Sequence, residues 1–195
     1  MKVAIIYHSG FGHTKVVAES IAKGVRVHID NVLVYPVVEG SSKLDDLLTA
    51  DTIVFGSPTY FGNVSAEFKK FMESTSNIWA HQKWKDKLAA GFTNSSTRNG
   101  DKLNTLSSLS LFAAQHGMIW LPVGILPKYD ADGHQLDEHN GMASYLGLMT
   151  MSTSSHKVFT PPQDLITAEL FGQRIGEVTK KFTAYKIMKQ YENAI

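Results

Sequence analysis

Short apolar runs alternate along the chain with longer segments whose apolar residues recur every three or four positions. Val3 to Tyr7 is the first run, and behind it Val17, Ala18, Ile21, Ala22 and Val25 share one helical face, with Thr14 expected as the cap and Gly24 near the end. Val32 to Val38 is a second run. Leu44, Leu47 and Leu48 mark a short amphipathic helix, and Thr52 to Gly56 predicts a third strand, buried because its centre is continuously apolar. Ser65 is placed to cap a helix that turns Phe68, Phe71 and Met72 inward, and Leu88 to Thr93 predicts a fourth strand. Leu103, Leu106, Leu109 and Ala113 mark the next helix, which Gly117 ends, and Met118 to Leu121 is the fifth run. Residues 128–163, rich in Gly, Ser, Thr, Asp and Pro, read as a long excursion. Phe171, Ile175, Val178, Phe182 and Tyr185 form the inward stripe of a last helix. This order predicts an α/β fold, with residues 1–195 as one domain built on a three-layer, doubly wound, five-stranded parallel sheet.

In such sheets ligands bind beyond the carboxyl ends of the strands, near the point where the strand order reverses. Three loops there carry chemistry. Ser9-Gly10-Phe11-Gly12-His13-Thr14 runs from a strand straight into a helix N-terminus, where unpaired N–H groups and the helix dipole favour an anion and two hydroxyls add donors. The dinucleotide fingerprint fails because Lys15 stands where Gly is needed, and the loop lacks the Gly-Lys-Ser/Thr ending of a nucleotide P-loop. Ser57-Pro58-Thr59-Tyr60-Phe61-Gly62-Asn63 puts adjacent aromatics between a Pro and a Gly, an apolar wall for a flat ligand. Asn94-Ser95-Ser96-Thr97-Arg98-Asn99-Gly100 is dense in hydroxyls and amides that suit the edge of a polar ring. Taken singly, each loop also reads as an ordinary connection. Together, a phosphate cradle, an aromatic wall and a polar clamp describe a mononucleotide with a flat ring.

Composition narrows the chemistry. The 195 residues include no Cys, which excludes a thiolate zinc site, an iron–sulfur cluster and a Cys nucleophile. A net charge of +1 lacks the basic footprint of a nucleic-acid binder. The N-terminal apolar run is too short for a secretory leader. Leu103 to Pro127 carries no Asp, Glu, Lys or Arg, but its Asn, Ser, Gln and Pro residues fit a buried helix and strand better than a membrane span. Asp130-Ala131-Asp132-Gly133 lacks the spacing of a calcium loop and reads as a turn. His134 and His139, with Asp137 and Glu138, read as a solvated loop, so no metal is expected. The lysines at 180, 181, 186 and 189 read as a solvated helix face. No carboxylate pair or catalytic triad stands in the loops, which leaves the chemistry to a cofactor.

The segments YHSGFGHT, FGSPTYFGNVSAEFKKFME and AAQHGM resemble the flavodoxin-like NAD(P)H:quinone oxidoreductases of the WrbA type, over most of residues 1–125. The resemblance implies FMN as cofactor, with Ser9, Phe11, Gly12, His13 and Thr14 at the phosphate. It implies Pro58, Thr59, Tyr60, Phe61, Gly62 and Asn63 beside the isoalloxazine, and Ser95, Ser96, Thr97, Arg98, Asn99 and Gly100 at the ring or ribityl chain. It further implies that Trp79 and His116 line the acceptor space as catalytic residues, His116 as proton or hydrogen-bond donor. Expected with it are NAD(P)H as co-substrate, a quinone or flavin-type acceptor, ping-pong turnover, a homo-oligomer (dimer or tetramer) and a cytoplasmic location. Tyr60 stands where an Arg is common in that family, and the fourth loop lacks the family's run of glycines. The alternatives are a flavodoxin-type electron carrier, whose usual strong acidity this chain lacks, and a regulatory protein that keeps the fold without catalysis.

Overall fold

The computed structural model describes residues 1–40, 42–154 and 157–192. In chain order the elements are β1 (Lys2–Tyr7), α1 (His13–Val25), β2 (Asn31–Pro36), α2 (Val37–Gly40), α3 (Leu44–Thr49), β3 (Thr52–Tyr60) and β4 (Asn63–Val64). They continue with α4 (Ala66–Ser74), α5 (Ser76–Ala80), β5 (Leu88–Ser95), α6 (Lys102–Gln115), β6 (Ile119–Trp120), β7 (Leu148–Met151) and α7 (Pro162–Glu192). The sheet order is β2-β1-β3-β5-β6, all parallel, with β4 antiparallel on the end of β3. The order reverses between β1 and β3, so the loops that leave these two strands diverge and open a crevice.

Side chains alternate across β1 and divide the core in two. Val3, Ile5 and Tyr7 face α1 and α7, packing with Val17, Ile21, Val25, Phe171 and Ile175. Ala4 and Ile6 face the other layer, with Leu47, Phe68, Phe71, Trp84, Leu106, Leu109 and Phe112. The α1–α7 contact is close. A Cβ at Gly24 would lie 1.9 Å from the Glu169 carbonyl oxygen, and one at Gly172 would lie 2.1 Å from that of Ile21. The Gly24 expected near a helix end thus also serves as a packing position.

Four expectations change. The second run ends at Pro36, and Val37 and Val38 open α2 instead. The third strand continues through Ser57–Tyr60, because β4 returns beside it and pairs Thr59 with Val64 and Tyr60 with Asn63. The fifth strand position is shared. β6 pairs with Leu88 and Ala89 at the start of β5, and β7, drawn from the expected excursion, pairs in parallel with Phe92–Ser95 at its end. The stripe on α7 fades after Phe182, so that Tyr185, Ile187 and Met188 are exposed. Ser65 caps α4 as expected, its Oγ accepting the Phe68 N–H at 3.3 Å.

Candidate functional site

The crevice at the carboxyl ends of the strands holds a cleft of ≈370 Å³, within the size range of small-ligand sites. Four segments line it. Ser9, Gly10, Phe11, His13 and Thr14 come from the loop after β1, Pro58, Thr59 and Tyr60 from the end of β3, Asn94–Thr97 and Gly100 from the loop after β5, and Ser152–Ser154 from the end of β7.

The first segment is built for an anion. Gly12 takes the N-cap position of α1 with φ +88° and has no side chain of its own to cap the helix, and the first turn carries no acidic residue. With φ +88°, the position needs Gly for its conformation. Thr14, expected as the cap, lies inside the first turn and lines the cleft instead. Ser9 Oγ accepts the Lys15 N–H at 3.2 Å. His13 Nδ1 accepts the Phe159 N–H at 3.4 Å, which leaves its ring proton on Nε2 as a donor. An open helix N-terminus with hydroxyl and imidazole donors around it fits a phosphate.

The third strand supplies the apolar wall. Thr59 is pinned from behind, its Oγ1 sharing hydrogen bonds of 2.8 Å with both Thr93 and Thr105. Tyr60 lies over the first loop, with its hydroxyl 2.9 Å from where a Gly10 Cβ would stand. Burial pushes the Tyr60 phenol up, so it stays protonated at neutral pH. The polar wall is a closed loop. Ser95 Oγ donates to the Thr97 carbonyl at 3.0 Å, and the buried Lys102 ties both residues from below.

Several expected residues lie elsewhere. Phe61 and Gly62 form the two-residue turn between β3 and β4, both at positive φ as such hairpins require. That turn carries the Phe61 side chain into solvent. Asn63 faces away, its Oδ1 accepting from Ser108 Oγ on α6 at 2.9 Å. Arg98 and Asn99 are exposed beyond the cleft lining.

Trp79 and His116 also lie apart from this cleft. They border a separate groove of ≈860 Å³ between α4–α5 and α6, together with Met72, Leu111 and Phe112. α6 begins at the cleft and ends at Gln115, and its 14 residues at about 1.5 Å each put His116 roughly 20 Å down the helix from that end. His116 has no exposed surface, its Nε2 is 3.0 Å from Thr75 Oγ1, and its ring packs on Trp84 and Phe112. Burial pulls it down to about 4, so it is neutral at pH 7. Within one chain neither residue reaches the cleft.

Sequence reasoning missed Ser152–Ser154, and placed Gly10 and Asn94 in their loops without assigning them to the ligand. Asn94 Nδ2 donates to Ser152 Oγ at 2.9 Å, and Thr150 Oγ1 donates to Asn94 Oδ1 at 3.0 Å. The signal available was the hydroxyl-rich run Thr150 to Ser154 after a β-prone Leu-Met pair.

Known proteins resemble the chain along nearly its full length. The sequence pattern of the NADPH-dependent FMN reductase family matches residues 42–129. Flavodoxin FldP of Pseudomonas aeruginosa is 36% identical over 186 residues, spanning 94% of this chain and 99% of that protein. An NAD(P)H dehydrogenase (quinone) of Chromohalobacter salexigens is 31% identical over 200 residues, spanning 92% and 98%. The crystal structure of a flavodoxin, WrbA-like protein from Agrobacterium tumefaciens aligns with a TM-score of 0.73 at 34% identity, covering 93% of this chain and 98% of that one.

Proposed function

Because the chain belongs to the WrbA-type flavodoxin-like oxidoreductases, we propose that the cleft above β1, β3 and β5 is where FMN sits and where reducing equivalents pass from NAD(P)H to a quinone. The protein is an FMN-dependent NAD(P)H oxidoreductase. The observation that supports this placement of the site is the acid-free N-terminus of α1 behind Gly12, opening on a cleft with an aromatic wall and a polar wall. When bound, FMN supplies the redox chemistry, accepting hydride from NAD(P)H and yielding two electrons to the acceptor.

The side chains bind and orient. The α1 N–H groups, the Ser9 and Thr14 hydroxyls and His13 Nε2–H hold the phosphate. Pro58, Thr59 and Tyr60 border the flat ring, while Ser95, Ser96, Thr97 and Gly100 take its polar edge or the ribityl chain. NAD(P)H and the acceptor use the same open face in turn, which gives ping-pong turnover. Residues 1–195 act as one FMN-binding domain, in a homo-oligomer within the cytoplasm. The oligomer is favoured by Trp79, half exposed on an apolar groove, which can meet a cleft only on a second copy. Among the described residues no helix is long and apolar enough to cross a membrane.

A second reading is an FMN electron carrier, favoured by the 36% identity to a flavodoxin and by the distance of His116 and Trp79 from the cleft. The near-neutral charge of +1 favours the enzyme. Anaerobic mixing of the FMN-loaded protein with NADH and NADPH, followed by a small quinone, separates the two. Bleaching by a pyridine nucleotide and reoxidation by quinone at a catalytic rate identify the enzyme. Bleaching only in the presence of a separate reductase identifies the carrier. A protein that binds no FMN, or that releases FAD on heating, sinks both.

A further inference from the structure

Lys102 stands in the first turn of α6 with no exposed surface. An ammonium out of water needs strong partners. Its Nζ donates to Ser95 Oγ at 3.1 Å and to the Thr97 carbonyl at 2.6 Å, both on the loop that walls the cleft. These oxygens are neutral, and none of the ion pairs among the described residues includes Lys102. The carboxylate that bears on it is Asp164, buried in the first turn of α7, whose Oδ2 is committed to the Met151 N–H at 2.7 Å. Arg98, exposed in the same loop, acts on Asp164 in turn. The helix end adds to the positive potential, since a helix N-terminus disfavours a cation. Burial pulls Lys102 down to about 8, so at pH 7 it is mainly protonated. A loop that needed only a hydrogen-bonded tie would be held as well by a neutral amide at lower desolvation cost.

We propose that Lys102 is a positioning residue for the redox reaction, shaping the 95–97 wall of the cleft and supplying behind it a fixed positive charge that favours the reduced cofactor. The inference rests on the FMN reading of the cleft. Hydride transfer brings two electrons and one proton to an uncharged ring as NAD(P)⁺ leaves, so the product carries one negative charge until another proton is taken up. A buried cation stabilises that charge. Through an effective dielectric of about 20, a unit charge on the order of 10 Å away shifts such an equilibrium by roughly tenfold.

Two variants separate charge from shape. Lys102→Gln keeps an N–H donor and loses the charge, and Lys102→Met loses both. The measurements are the FMN dissociation constant and the two-electron midpoint potential, by equilibration with reference dyes from pH 6.5 to 9.5. The expected result at pH 7 is a potential about 30 mV lower in both variants, the equivalent of tenfold for two electrons. The gap should close as the pH rises past about 9 and the wild-type amine loses its proton. FMN binding to Lys102→Gln should stay within about threefold of wild type. Removing a buried charge should leave the melting temperature of each cofactor-free variant equal to or above that of wild type. A Gln variant with the wild-type potential at every pH overturns the proposal and leaves Lys102 as a loop tie. Wild-type protein that takes up no FMN overturns the reading of the cleft itself, a different failure.

Discussion

The cleft at the strand ends and the groove between α4–α5 and α6 are both served by α6, which starts at one and finishes at the other. The groove has more than twice the volume, ≈860 against ≈370 Å³. Yet much of its lining is apolar, Met72, Leu111 and Phe112 among it, and its histidine is bonded to Thr75 through Nε2. The cleft is lined by hydroxyls, amides and backbone from four segments, around a helix end whose N-cap is a glycine. Volume alone therefore does not mark a ligand site, while polar groups and a helix N-terminus converging from separate loops do.

The sharpest way to break this division is to empty the groove's buried corner. His116→Ala removes a ring packed between Trp84 and Phe112 and should lower folding stability by about 2–4 kcal/mol in urea denaturation. FMN affinity should change by less than about twofold. A large loss of FMN affinity with stability preserved would make the groove part of the site.

Titration sharpens the same point. His116 is held at about 4 in the folded protein, below its ordinary 6.5, so the unfolded chain takes up the proton first. Its contribution to stability is complete above about pH 6.5 and drains away as the pH falls towards 4, by on the order of 3 kcal/mol. Urea midpoints measured at pH 7 and pH 4.5 should move further apart in wild type than in His116→Ala. Equal movement in both would locate the titration elsewhere.

On the cleft side, Thr14→Ala should weaken FMN binding by about 1–2 kcal/mol, since one hydrogen bond to a charged group is lost. Fluorescence titration checks this, and an unchanged dissociation constant would move the phosphate away from α1. The smallest effect belongs to Trp79→Ala. Exposed residues of this kind cost within about 0.5 kcal/mol in stability, so only the apparent KM for quinone should rise, with FMN affinity intact. A wild-type KM would remove Trp79 from any acceptor space, including one shared between copies.

The parallel core was legible because burial on both faces writes itself as continuous apolar runs, as in Thr52–Gly56, and because Ser65 and Gly117 mark helix ends by local chemistry. β7 was not legible. Leu148–Met151 is a short strand with polar flanks, and its partner lies far away in sequence, so nothing local distinguishes it from a loop. In the site, the phosphate loop could be read from its strand-to-helix context. The turn at Phe61-Gly62 could not, because two positive φ values decide whether the aromatic faces in or out. The place of His116 was not legible for a related reason: the sequence puts a histidine at a helix end but leaves open which end of the sheet that helix has reached.

The split edge of the sheet has a consequence for the order of events during synthesis. Chains fold from the N-terminus as they emerge, and β1, β3 and the whole of β5 are made early. Phe92–Ser95 nevertheless waits for Leu148–Met151 to pair with it, and Asn94 waits for Thr150 and Ser152 to fix its amide. A nascent polypeptide that stops short of residue 148 shows a bare strand edge at the mouth of an unfinished cleft. Cofactor capture is thereby deferred until most of the protein has been translated, and truncated products are left colourless.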